Sequence, residues 1–144
     1  MIGRLQKKLN RGVSSPGRVP TGSAAQDLHA TPLFRYEAAV VARGATHFFD
    51  DLGYGTSSDA EWLALRLALQ LAQSLGEPEF DLVGDSLEVI QQASGSFRCR
   101  SIAAADHLAK YEECATSGRP RRLIWTPRQQ NLAGIALAKR NALR

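Results

Sequence analysis

The sequence predicts an α/β domain in which a mixed β-sheet is flanked by α-helices. Three observations carry this expectation. Residues 59–75 repeat apolar side chains at helical spacing, through Ala60, Leu63, Ala64, Leu67, Ala68, Leu71, Ala72 and Leu75. Two β-like runs, Phe34–Val41 and Ala45–Phe49, precede that helix and join through Arg43-Gly44. After the helix, strand-like and helical segments alternate to the C-terminus. Strands followed by alternating helices and strands imply helices packed on a mixed sheet.

Each element has its own signal. Residues 10–32 are rich in Gly, Ser, Pro and Thr, with Pro16, Gly17, Pro20 and Gly22 as breakers. With the basic residues before them they read as a flexible arm over 1–32, leaving 33–144 as the domain. Tyr54–Ser58 is a poorly marked third strand. Ser58 and Glu61 fit a Ser-x-x-Glu capping box at the start of the long helix, and Gly76 stops it. Trp62, Leu65 and Leu69 widen its apolar surface, so it is expected to pack on more than one side. Phe80–Val83 reads as a strand leading into Gly84-Asp85-Ser86. A helix over 86–93, stopped by Gly95, and a second over Ile102–Ala115 follow. Arg121–Trp125 is a strand broken by Pro127, and residues 132–143 form the last helix.

Composition narrows the function classes. The chain has 144 residues, about one domain, with 44% hydrophobic and 22% charged residues, as in an ordinary globular protein. No apolar run approaches a membrane span, and residues 1–26 lack the apolar stretch of a secretory signal. Cys99 and Cys114 have neither zinc nor redox-pair spacing, so two free thiols in the reducing cytoplasm are expected. The net charge of +4 is unevenly spread. Residues 1–26 hold five basic residues and no acid, and residues 27–88 hold eleven acids against three arginines. Residues 89–144 hold ten basic residues against three acids. An acidic middle beside a basic C-terminal half suits a protein that holds a cation and grips a polyanion; a segregated solvated surface is the alternative.

Three segments stand out: Thr56-Ser57-Ser58-Asp59-Ala60-Glu61, Val83-Gly84-Asp85-Ser86, and Trp125-Thr126-Pro127-Arg128-Gln129-Gln130-Asn131 continuing to Leu137-Ala138-Lys139. In order and spacing they resemble the type 1 ribonuclease H family over about residues 36–141. The resemblance implies a ribonuclease H-like mixed sheet and hydrolysis of the RNA strand of an RNA–DNA hybrid with Mg²⁺ or Mn²⁺. Such chemistry needs converging carboxylates, because hard divalent ions prefer oxygen ligands. Two ions held together can activate the attacking water and stabilise the leaving oxygen.

On this resemblance Glu61 and Asp85 are catalytic carboxylates and metal ligands. Read locally, Glu61 is half of a capping box and Asp85 is an N-cap. Arg128 matches the family's arginine and would steady charge near the scissile phosphate. Asn131 matches its asparagine, and Ser57 and Ser58 stand where the family contacts the nucleic-acid backbone; helix capping is the alternative for all three. Arg98 and Arg100, beside Phe97, lie where the family can carry a basic substrate-binding element, or else in a solvated loop. Arg119, Arg121 and Arg122 are candidate phosphate contacts. His107 is expected on a helix surface.

Two expected carboxylates are not in place. The family's first aspartate belongs to a first strand in an Asp-Gly context, and no such segment occurs here. Counting back from Glu37 puts that strand near residues 22–30, where Asp27 is the only acid. Asp27 is therefore the nominal third metal ligand, or an ordinary loop acid. The first strand is degenerate or missing, as a frame shift upstream of Tyr36 would leave it. The family's last aspartate falls on Ile135, which cannot bind metal. The leading expectation is a monomeric, metal-dependent endoribonuclease acting on RNA–DNA hybrids. The alternative is a catalytically impaired module that binds nucleic acid.

Overall fold

The computed structural model describes residues 3–11 and 34–143, with residues 3–11, 34 and 35 described by backbone alone. Among the described residues there are six strands and four α-helices, and after residue 34 their order is the one the sequence predicts. They are β1 (Gly3–Arg11), β2 (Phe34–Ala42), β3 (Ala45–Phe49), β4 (Tyr54–Gly55), α1 (Ser57–Ser74), β5 (Phe80–Gly84), α2 (Leu87–Ala93), α3 (Ile102–Ala115), β6 (Arg122–Trp125) and α4 (Leu132–Ala142). The sheet order is β3-β2-β1-β5-β6, with β4 paired to β2. β1, β2 and β3 are antiparallel, whereas β5 runs parallel to both β1 and β6.

The first strand is a correction. It is expected near residues 22–30, yet Gly3–Arg11 pairs between β2 and β5, within the stretch read as an arm. The segment GRLQKKLNR lacks the continuous apolar run of a strand buried on both faces, so its central place is not visible in composition. It contains no acid. The strand is thus present but degenerate. Asp27 lies outside the described residues.

Helices cover both faces. On one, Val40, Phe80 and Leu82 of the sheet pack with Trp62, Leu65 and Leu69 of α1, Val89 of α2 and Tyr111 of α3. Burying each of those large side chains contributes roughly 1.5–3 kcal/mol. On the other face, Ala39 packs against Ala133 and Leu137 of α4. Small Ala39 and Ala133 side chains let α4 lie close to the sheet, which brings its N-terminus to the end of β5. The β2–β3 turn uses Arg43 and Gly44 at φ 51° and 77°, the left-handed pair that a two-residue hairpin requires. No described helix is long and apolar enough to cross a membrane. Cys99 and Cys114 are free thiols.

Candidate nucleic-acid and metal site

The C-terminal end of β5 is where the candidate residues meet. A cleft of about 330 Å³ is lined by Ser57, Ser58 and Glu61 of α1, Asp85 and Ser86 after β5, Glu88 of α2 and Arg128. Open α/β sheets place ligands at such strand ends.

The local alternatives for the two carboxylates do not survive. Thr56, not Ser58, is the N-cap of α1, and its Oγ1 accepts from the Asp59 amide at 3.2 Å. Glu61 therefore lies beyond the capping positions. Ser57 and Ser58 each lie about one turn before Glu61, because residues three and four apart are neighbours on a helix. At α2 the cap is Ser86, whose hydroxyl accepts from Val89 N, so Asp85 does not cap either. Asp85 is instead held from the β6–α4 connection. The Trp125 indole donates to its backbone carbonyl at 3.3 Å, and the Asn131 amide donates to its Oδ2 at 3.1 Å.

Asn131 is expected to touch nucleic acid or to cap a helix by its side chain. It has 0% exposure and makes no side-chain cap bond. It stands behind Asp85 and supports that carboxylate from the interior. Ile135 is half-exposed in the first turn of α4 and offers no ligand atom.

Arg98 and Arg100 lie in the loop between α2 and α3. With Phe97, Ser101, Gln91, Gln92 and Glu88 they line a second groove of about 410 Å³. Glu88 lines both hollows, so the two adjoin at the first turn of α2. Sequence reasoning passed over Glu88; its signal was the three-residue step from Asp85 around the helix start. Arg119, Arg121 and Arg122 are engaged at the other end of β5 or beyond it. Arg119 pairs with Glu112, and Arg121 and Arg122 pair with buried Asp81 at 3.0 and 3.1 Å. Burial opposes ionisation of Asp81, but hydrogen bonds from Arg121 and Arg122 outweigh it and hold its carboxyl below the usual range. His107 is packed against α1 rather than lying on the surface, a further correction.

Among the described residues no three Asp, Glu, His or Cys side chains form a group that could hold a metal ion. The four-carboxylate cluster implied by the resemblance is not assembled from them. Glu61 and Asp85 on one cleft are nevertheless a hard-oxygen pair. Mg²⁺ commonly uses one or two protein carboxylates, keeping water and phosphate for the rest of its shell. The residues present fit one such ion.

The strand order, the helices on both faces and the carboxylate-bearing strand end define a ribonuclease H-like fold. The fold is similar to the N-terminal RNase H domain of rv2228c from Mycobacterium tuberculosis, at TM-score 0.67, 19% identity and 95% coverage of each chain. It is also similar to RNase H1 from Halobacterium salinarum NRC-1, at TM-score 0.65 and 21% identity over 94% of this chain and 91% of that one. A third likeness is LC11-RNase H1 in complex with an RNA/DNA hybrid, at TM-score 0.66, 19% identity and 99% coverage of each chain. No curated protein sequence matches. The reverse transcriptase-like family matches residues 43–141, and the chain belongs to that family.

Proposed function

We propose that the chain grips RNA–DNA hybrid in the two adjoining grooves and hydrolyses its RNA strand with a divalent ion, Mg²⁺ or Mn²⁺. The single observation behind this reading is that Glu61 and Asp85, from different elements, line one cleft with Ser57, Ser58 and Arg128 while neither carboxylate serves as a helix cap. The RNA/DNA hybrid bound by LC11-RNase H1 supports the substrate class.

Each residue has a physical role in that reading. Asp85 and Glu61 would hold the ion, which when bound supplies Lewis-acid stabilisation of phosphate charge and a more acidic water. Asn131 orients Asp85. Ser57 and Ser58 hydroxyls donate to the nucleic-acid backbone. Arg128 presents a guanidinium to the phosphate, a planar donor set suited to two oxygens. Arg98 and Arg100 extend the positive surface along the duplex, giving binding that tolerates sequence and weakens with salt.

One observation favours a second reading, binding without cleavage. β1 carries no acid, and past Gln6, which pairs with Val83 of β5, it continues with Lys7 and Lys8 rather than a carboxylate. Ile135 removes a further carboxylate. The test is cleavage and binding of a labelled hybrid in Mg²⁺, in Mn²⁺ and in EDTA, with Asp85→Asn as control. Metal-dependent cleavage lost in the control supports the hydrolase. Salt-sensitive binding with no cleavage in either metal selects the binding module. No binding by folded protein sinks both.

A further inference from the structure

The first turn of α1 is held from two sides. From β2, the Tyr36 hydroxyl donates to the Thr56 carbonyl at 2.9 Å. Tyr36 lies so close to Gly55 that a Cβ there would sit 1.8 Å from its hydroxyl, so any larger residue would have to displace the tyrosine ring. From α3, His107 Nε2 is 2.7 Å from Asp59 Oδ1. An ionised carboxylate only accepts, so His107 Nε2 is the donor.

The imidazole cannot easily swing away. It stacks on the Trp62 indole with centroids 6.0 Å apart and planes 7° apart. Tyr111 closes on the same indole edge-on at 6.5 Å. Trp62 is fully buried, and His107 Nδ1 is buried with no hydrogen-bond partner among the described residues. The ring therefore has one polar anchor, Asp59, within an apolar stack.

Asp59 and Glu61 are two residues apart, about 200° around the helix, so they take opposite faces. The anchor grips the turn from behind while Ser57, Ser58 and Glu61 face the cleft. Rotation of this turn moves all three together. We propose that His107 is a positioning residue: through Asp59 it fixes the first turn of α1 and so sets how Ser57, Ser58 and Glu61 are presented to nucleic acid. The presentation half rests on the function proposed above; the anchoring half does not.

Two measurements on the full chain separate them, using His107→Ala and His107→Gln. The glutamine keeps an amide donor near the position of Nε2. The first measurement is amide hydrogen exchange across α1. Losing a charge-assisted hydrogen bond is expected to speed exchange at Asp59–Glu61, the first amides of α1 that are hydrogen-bonded, about tenfold in His107→Ala, with Leu65–Ser74 unchanged and His107→Gln close to wild type. The second is affinity for an RNA–DNA hybrid by anisotropy, expected to weaken in His107→Ala and recover in His107→Gln. Unchanged exchange at Asp59–Glu61, or uniform acceleration along α1 in both variants, overturns the anchor. Local acceleration with unchanged hybrid affinity overturns the positioning role. If the wild-type chain binds no hybrid, the functional reading falls and exchange alone judges the anchor.

Discussion

The Asn131 side-chain amide donates to Oδ2 of Asp85 across 3.1 Å, from a position with no exposed surface. The bond joins the N-terminus of α4 to the end of β5 and directs the carboxylate that the fold places at the strand end. Asn131→Ala should remove that support. The expected cost is about 1.5–3 kcal/mol in urea denaturation, the usual range for a hydrogen bond to a charged group. Divalent-ion dependence of hybrid binding should weaken in parallel, as read by titration calorimetry with Mg²⁺.

Ile135 is the easiest place to restore a ligand. It is 47% exposed in the first turn of α4, where an acid is favoured by the helix dipole. Ile135→Asp should change stability by no more than about 0.5 kcal/mol, as expected for an exposed position. It should also strengthen Mn²⁺ binding and raise cleavage of a hybrid, or bring cleavage above background where the natural chain shows none. A gel assay across a Mn²⁺ series reads this.

Arg98 and Arg100 line the groove beside the carboxylate cleft. If both contact phosphates, the double alanine variant should weaken hybrid binding at low salt. It should also flatten the plot of log affinity against log salt by about two units, near one per lost contact. Equal slopes for variant and wild type would place the duplex elsewhere.

Asp81 ties β5 to Arg121 and Arg122 at the end of the sheet away from the cleft. Asp81→Asn should cost about 1–3 kcal/mol, because a charged hydrogen-bond acceptor is lost while both arginines keep access to water. The sign of its pH dependence follows from a carboxyl held lower in the folded state than in the unfolded chain. Its stabilisation is complete above the ordinary aspartate range near pH 4, and is lost as pH falls toward the folded-state value. Wild type should therefore lose stability below about pH 4 more steeply than Asp81→Asn in acid-titrated thermal melts.

How much was legible in the sequence differs by element. α1 and α3 were plain because their apolar residues recur locally at helical spacing, and β5 because a short apolar run ends in Gly84-Asp85-Ser86. The start of α1 shifted to a Thr56 cap because Ser58 lies within the helix, a two-residue ambiguity that a row of Thr, Ser and Asp leaves open. Glu61, Asp85, Ser57, Ser58 and Arg128, singled out from three separate motifs, line one cleft. The surroundings of Asn131 and His107 were not legible, because they are made by elements distant in the chain.

The sequence by itself determined the α/β class, the order of elements after residue 34 and the acids near the end of β5, since these follow from periodicity and local motifs. It also determined that neither β1 nor position 135 carries a carboxylate. Only the tertiary structure decided that Gly3–Arg11 is the central strand, that Asn131 lies behind Asp85, and that His107 anchors Asp59. The physical reason is common to all three. Sheet pairing and buried hydrogen bonds join residues dozens of positions apart, and no local pattern records which partner the packed fold will bring within reach.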